Sequence, residues 1–541
     1  MAAVADLVVL GSPVRTMDPA KPVAEALVVR GDRIVAIGDA ADVRTVAGPR
    51  TEVIRAPGAV LPGFQDAHVH PPFAGLERLR CDLNEASDRD AYRGLIAGYA
   101  ESHRDEAWIL GGGWSMAAFP GGTPRVGDLD DLVPDRPVFL VNQDGHGAWV
   151  NTRALEVAGI DDATHDPPDG RVERDPVTGR PSGTLHEGAM ELVEDTIPPI
   201  GAAEWDLAIQ EAQGYLHTFG ITAWQDAMVE PEQLESYLRL AGRGDLTARV
   251  VTALWWDRHR GLDQVEELIE RRAAVHGTGV DAGTVKIMLD GVAENFTARM
   301  LETYLDGDGR PTENRGLAFV DPAELEEAVT RLDREGFQVH FHAIGDGAVR
   351  HALDAVDRAV RTNGRRDGRH HVAHLQVVHP DDVPRFGKLG VTANIQALWA
   401  CHEPQMDELT IPFLGAERAA RQYPFRSLLD AGAPLACGSD WSVSSPNPFL
   451  QMETAVTRVG PEAPNAEPFL PDERLDLHTV LRGFTEGSAY VNRLDADTGR
   501  LAPGMAADLL VLDRDPVADG ELAETRVLMT MVGGKVVHES G

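Results

Sequence analysis

Short apolar runs punctuated by Gly and Asp open the chain, at 3–10, 23–37 and 50–61, and read as strands. The RGDR segment between two of them has the composition of a hairpin turn. The same texture returns at the far end, in AADLLVLD (506–513) and in RVLMTMVGGKVVHE with its central GG. Two β-rich ends around a different middle predict one composite β-sandwich domain made of residues 1–60 and 495–541.

The middle alternates strands with segments of helical spacing. Apolar strands fall at 59–70, 221–226, 248–255, 284–289, 337–342, 370–377, 391–396 and 433–440. Amphipathic stretches such as AELEEAVTRLDREG (323–336) and GAVRHALDAVDRAV (347–360) lie between them. Eight strands alternating with helices predict an α/β fold, a (β/α)8 TIM barrel over 61–72 and 201–494. Residues 73–200 are too many for one strand-to-helix loop and carry strands of their own (DEAWILGGGW, RPVFLVNQDGH). They are expected to form an inserted α/β subdomain over the barrel mouth.

Composition narrows the partners. With 86 acidic against 50 basic residues the formal charge is −36. Such a surface repels phosphate backbones and anionic lipid, so nucleic acid and membrane are not expected partners. A small-molecule substrate fits, and assembly as a homodimer stays open. Three scattered cysteines, Cys81, Cys401 and Cys437, argue against a disulfide framework. With no leader-like opening and no membrane-length apolar run, the expected location is cytoplasmic. Among the basic residues only Lys21, Lys286, Lys388 and Lys535 are lysines, so a lysine inside an apolar strand invites a reason.

The polar residues at the strand ends supply candidate chemistry. His68 and His70 stand two apart in QDAHVH, on one face of a strand, where both imidazoles can reach one ion. An isolated HxH is explained equally well by core packing, but its place at the carboxyl end of a barrel strand favours a ligand role. His340 and His342 in FQVHFHAIGDG also share a face; His342 is nearer the strand end, and His340 is expected one layer deeper as a core histidine. His374 ends VAHLQ, while His370 and His371 at its start read as surface or structural residues. Asp440 closes LACGSDW, as a metal ligand or as the cap of the next helix. Several histidines plus a carboxylate suit Zn²⁺ or a similar divalent ion. Lys286 in TVKIMLDG needs a partner if buried. It either pairs with a carboxylate such as Asp290 or carries CO₂ as a carbamate bridging two metals, which arginine cannot do.

VLPGFQDAHVH, KIMLDG, VHFHAIGDGAV, VAHLQVV, GSDWSVSSPNPF and GRLAPGMAADLLVLDRDP together resemble the amidohydrolase superfamily, in its YtcJ-like, amidohydrolase 3 branch. The resemblance covers nearly the whole chain. It implies metal ligands at His68, His70, His342 and His374, a bridging carboxylated Lys286, and Asp440 as ligand and proton acceptor, around two zinc ions or one. It implies hydrolysis of a non-peptide amide-type C–N bond; deformylation of N-substituted formamides is one activity of the branch. Lactones, cyclic amides and aminated rings are alternatives within the fold, and a non-catalytic metal-binding protein is an alternative of another class. His146 in NQDGHGAWVN and Glu187 in LHEGAM also match the branch, and His146 could polarise the substrate carbonyl. Where relatives place an acidic residue after the Trp of GGGW, this chain has Ser115. Trp114, Trp149, Trp399 and Trp441 are expected near the mouth, where aromatic walls would suit an apolar or aromatic substrate group.

Overall fold

The structure is a computed structural model that describes residues 5–43 and 47–540. Ala3 and Val4 of the first predicted strand lie outside the described residues. Eight parallel strands form the central sheet: Phe64–Val69, Ile221–Val229, Arg249–Trp255, Val280–Met288, Gln338–Ala343, His371–His374, Thr392–Ile395 and Leu435–Cys437, each paired to the next in that order. They are called here the first to eighth barrel strands. The sheet is nearly closed. Between its first and last strands the seam is held by the Asp440 amide donating to the His68 carbonyl at 2.7 Å and the His70 amide donating to the Trp441 carbonyl at 2.9 Å.

Period-2 alternation explains the barrel's two faces. In the fifth strand Val339, Phe341 and Ala343 pack outward into the apolar layer under the helices, while Gln338, His340 and His342 alternate with them. In the fourth strand Val285 and Ile287 take the outward positions, and Thr284 and Lys286 the others. The alternate positions therefore build a buried polar core: Gln225, Thr284, Gln338, His340, His371 and Asn394 are at most 1% exposed. Every polar atom there needs a partner, because unpaired burial costs about 1–3 kcal/mol.

The terminal strands join one eight-stranded sheet. Its order is Lys535–Glu539, Val527–Val532, Leu509–Leu512, Val60–Pro62, Leu7–Arg15, Val23–Arg30 and Arg33–Gly38, with Glu52–Arg55 also paired to Leu7–Arg15. The RGDR segment turns between Arg30 and Arg33, and Gly533–Gly534 turns between Val532 and Lys535, both with left-handed glycines. The predicted strand 59–70 is two strands in different sheets. The break falls at Gly63, whose amide donates to the Asp508 carbonyl and whose missing side chain admits Thr222. A third sheet, of six strands between Cys81 and Glu187, belongs wholly to the long insertion. Among the described residues no helix is long and apolar enough to cross a membrane.

Candidate metal centre and active site

Of the sequence-predicted ligands, the strand ends bring His68, His70 and Asp440 within mutual reach of one ion, with His374 and His342 beside them. Nε2 of His68 and Nε2 of His70 each lie 3.1 Å from Asp440 Oδ1. His374 places Nδ1 3.7 Å from Asp440 Oδ2, and its ring is 4.7 Å from that of His68 and 4.4 Å from that of His342. His374 (φ 77°) and Asp440 (φ 57°) both have left-handed backbone just beyond or at the end of their strands. That conformation disfavours a non-glycine residue by about 1–3 kcal/mol, and it persists where surrounding contacts over-determine it. Here it turns two polar side chains toward one point. It also explains why the sixth strand stops at His374 rather than at residue 377, since Leu375 (φ 54°) continues the turn.

These donors fit a divalent cation. Nε2 of His68 and both ring nitrogens of His374 are buried without a hydrogen-bond partner. Burial holds the imidazoles of His68, His342 and His374 well below their ordinary pKa, with the nearby Lys286 field acting in the same direction. They are therefore neutral, with lone pairs to offer. A bare imidazole nitrogen facing a carboxylate oxygen sets two acceptors against each other, which a cation between them relieves.

Lys286 is 3% exposed and lies in register beside His340. Burial pushes its amine down to about 7, against the opposing pull of Asp440 and Asp226. The alternative reading, an ion pair of Lys286 with Asp290, is not found among the described residues. Asp290 instead accepts the amides of Ile344, Gly345 and Arg299 and lies 3.3 Å from His342 Nδ1. That His342 nitrogen is itself buried without a hydrogen-bond partner. Asp66, which sequence reading missed, accepts the amides of His68 and Ser439, tying the first strand to the loop after the eighth.

The insertion contributes the facing wall. His146 Nδ1 is 2.9 Å from Glu187 Oε2, and Glu187 Oε1 accepts the Thr297 hydroxyl at 2.6 Å. A β-carbon on Gly291 would lie 2.1 Å from Glu187 Oε1, so glycine is required there. Burial would lower the His146 pKa, but the Glu187 carboxylate outweighs it and raises it to about 9. An imidazolium thus stands with its ring 5.4 Å from that of the ligand candidate His342. Trp399 stacks on His374 at 5.4 Å, nearly parallel.

Other expectations change. Trp114 is fully buried in the insertion's own core, its indole N–H donating to the Leu140 carbonyl, and cannot touch a substrate. Trp149 is buried in the same core. Trp441, 6% exposed, packs on Tyr215 as part of the barrel's apolar layer instead of presenting a face to the mouth. Ser115 caps the short turn that follows it. His370 and His371 are buried structural residues: His370 Nδ1 accepts the Val339 amide, and His371 joins the barrel's polar core. His340 lies one layer below His342, as expected. Gln225, Gln338 and Asn394 were missed, although a polar side chain at alternate positions of an apolar strand was the available signal.

A family model described as "Amidohydrolase family" matches residues 56–538. Arabidopsis thaliana protein LONG AFTER FAR-RED 3 is 32% identical over 99% of this chain and 92% of its own. Putative amidohydrolase YtcJ of Bacillus subtilis is 29% identical over 91% of each chain. N-substituted formamide deformylase of Arthrobacter pascens is 28% identical over 99% of this chain and 98% of its own. A metal-dependent hydrolase of Pyrococcus horikoshii has the same fold, with TM-score 0.72 at 23% identity over 99% of this chain and 100% of that one. By the match of the family model to most of its length, this chain belongs to the amidohydrolase family.

Proposed function

We propose that this protein hydrolyses a non-peptide amide-type C–N bond, in an N-substituted formamide or an N-acyl amine, at the centre formed by His68, His70, His342, His374, Lys286 and Asp440. The observation that carries the reading is the convergence of the unpartnered, neutral imidazoles of His68 and His374 on Asp440. The similarity to a formamide deformylase over nearly both whole chains supports the choice of bond. A divalent ion such as zinc, one or two per chain, would supply Lewis acidity and make water a nucleophile near neutral pH.

The chain's own residues supply the rest. Burial would raise the Asp440 pKa, but the hydrogen bond from His70 and the field of Lys286 outweigh it and hold the carboxyl below the ordinary carboxylate range. As a carboxylate it accepts a proton from the attacking water and returns it to the leaving nitrogen, acting as base and then acid. His146, positively charged, donates a hydrogen bond toward the developing negative charge on the carbonyl oxygen. Glu187 holds that ring in place and keeps it protonated. Trp399 offers an apolar edge beside His374 for the substituent on the substrate. Lys286, with an amine pulled toward neutrality, is suited to add CO₂ at Nζ with loss of a proton, giving a carbamate that would bridge two ions. The same reading treats 1–60 with 495–541, and 73–200, as domains distinct from the barrel.

Kinetic assay of a panel of N-substituted formamides, N-acyl amines, lactones, cyclic amides and aminated rings tests the substrate class. Turnover confined to the first two is expected. An enzyme that rejects every amide and turns over lactones contradicts the choice of bond.

A further inference from the structure

We infer that a buried hydrogen-bond relay, Gln338–Gln225–His340, sets the tautomer of His68, so that its Nε2 meets the metal without a proton. The inference rests on the reading of His68 as a ligand and adds three positioning residues to it.

The polarity of each link follows from backbone anchors. Gln338 Nε2 donates to the carbonyls of Arg369 at 2.7 Å and Val491 at 3.0 Å, so its Oε1 must accept. The Thr284 hydroxyl and Gln225 Nε2 donate to that oxygen, at 2.8 and 3.1 Å. Gln225 Oε1 is then the accepting end, facing His340 Nδ1 at 2.8 Å and His371 Nε2 at 3.0 Å. His340 therefore carries its proton on Nδ1 and accepts on Nε2. The atom 2.9 Å from that Nε2 is His68 Nδ1, which must donate. A neutral imidazole has one N–H, so His68 Nε2 is left bare. It is that atom which has no partner and faces Asp440.

A second path reaches the same assignment. The His374 amide donates to Gln396 Oε1, so Gln396 Nε2 donates to Asn394 Oδ1. Asn394 Nδ2 donates to the Ala67 carbonyl and to His371 Nδ1. His371 must then carry its proton on Nε2, and that proton points at Gln225 Oε1. Two chains with separate backbone anchors thus agree on which way Gln225 faces. Reversing any one link would oppose two donors or two acceptors in a buried layer.

The test compares His340→Gln with His340→Met. The Gln side chain can place an acceptor near the position of Nε2, and Met fills similar space with none. Zinc affinity of the purified full-length protein is read by chelator competition, alongside its melting temperature. His340→Met should bind zinc about 10- to 100-fold more weakly, the usual effect of losing a partner behind a metal ligand. His340→Gln should stay within about threefold of the parent, on the same scale. Equal affinities in all three proteins, or equal losses in both variants, would overturn the relay. Independently of any metal, ¹⁵N-histidine NMR of the metal-free parent, with His68 identified by His68→Gln, should place the His68 proton on Nδ1. A proton on Nε2 overturns the inference even if the variants fail to fold. A parent that binds no metal ion would sink the ligand reading of His68, while the NMR result still decides the tautomer.

Discussion

The main-chain amide of Asp440 donates to the carbonyl of His68 at 2.7 Å, so a hydrogen bond across the barrel seam also joins the proposed proton acceptor to a metal-ligand candidate. Gly438 lies between them in the fold: a β-carbon there would sit 2.6 Å from His68 Cβ and 2.7 Å from its nitrogen. Gly438→Ala should therefore force His68 away from Asp440. The expected result is about 1–3 kcal/mol lost in denaturant unfolding, typical of overpacking, together with lost metal. Gly94→Ala, in the helix Arg89–Ser102 with nothing within 4 Å of the new carbon, should instead be neutral or slightly stabilising. Equal behaviour of the two variants would remove the seam from the account.

His146 provides a pH test. Its pKa is raised to about 9, so the protonated ring persists through neutral pH and is lost as pH rises through that value. kcat/KM should fall on the alkaline side near there. The stabilising ion pair with Glu187 follows the same sign, complete below the ordinary imidazole value and gone above about 9. Glu187→Gln removes the carboxylate that outweighs burial, so the alkaline limb should move down by more than about one unit. An unmoved limb would exclude His146 as the group that titrates.

Lys286→Arg keeps a positive charge but cannot form a carbamate. If Lys286 bridges two ions, the variant should lose the second one, and reassembly of metal-free parent should quicken with added bicarbonate. Elemental analysis finding two ions per chain in Lys286→Arg would contradict the bridge.

The C-terminal strands complete a sheet begun at the N-terminus. Leu509–Leu512 pairs with Val60–Pro62, Arg15 forms an ion pair with Asp515, and Arg249 of the third barrel strand is held by Asp508. Truncation after residue 494 would leave the Val60–Pro62 edge open and Arg249 without its partner. Circular dichroism and gel filtration should then show loss of the folded, monodisperse protein. A stable and active fragment would show that the terminal sheet is dispensable.

The placement of the candidate ligands at strand ends was legible because it obeys local rules. His68–His70 and His340–His342 share a face by strand alternation, and the GDG turn marks which end of the fifth strand opens to the mouth. What was not legible depends on pairs far apart in sequence. His340 meets Gln225 and His68 across separations of 115 and 272 residues, which no periodicity reveals. Trp114 looked like a pocket residue because loops carry function, yet the insertion has a core of its own to fill. The surroundings of Asp290 were hidden for a similar reason. Three backbone amides, one from its own loop and two from the loop after the fifth barrel strand, take up its carboxylate, and sequence spacing records only its nearness to Lys286.

In the proposed reaction, catalysis depends on metal held by the convergent strand-end residues. Metal content by elemental analysis, measured together with amide hydrolysis before and after chelation, tests it most directly. The expected result is one or two divalent ions per chain in the parent, activity abolished by chelation and restored by zinc, and no activity in His68→Ala or Asp440→Asn. Asp440→Asn should retain more metal than His68→Ala, since it removes a proton acceptor more than a principal ligand. Chelated, metal-free protein that hydrolyses its substrate at the parent rate would contradict it.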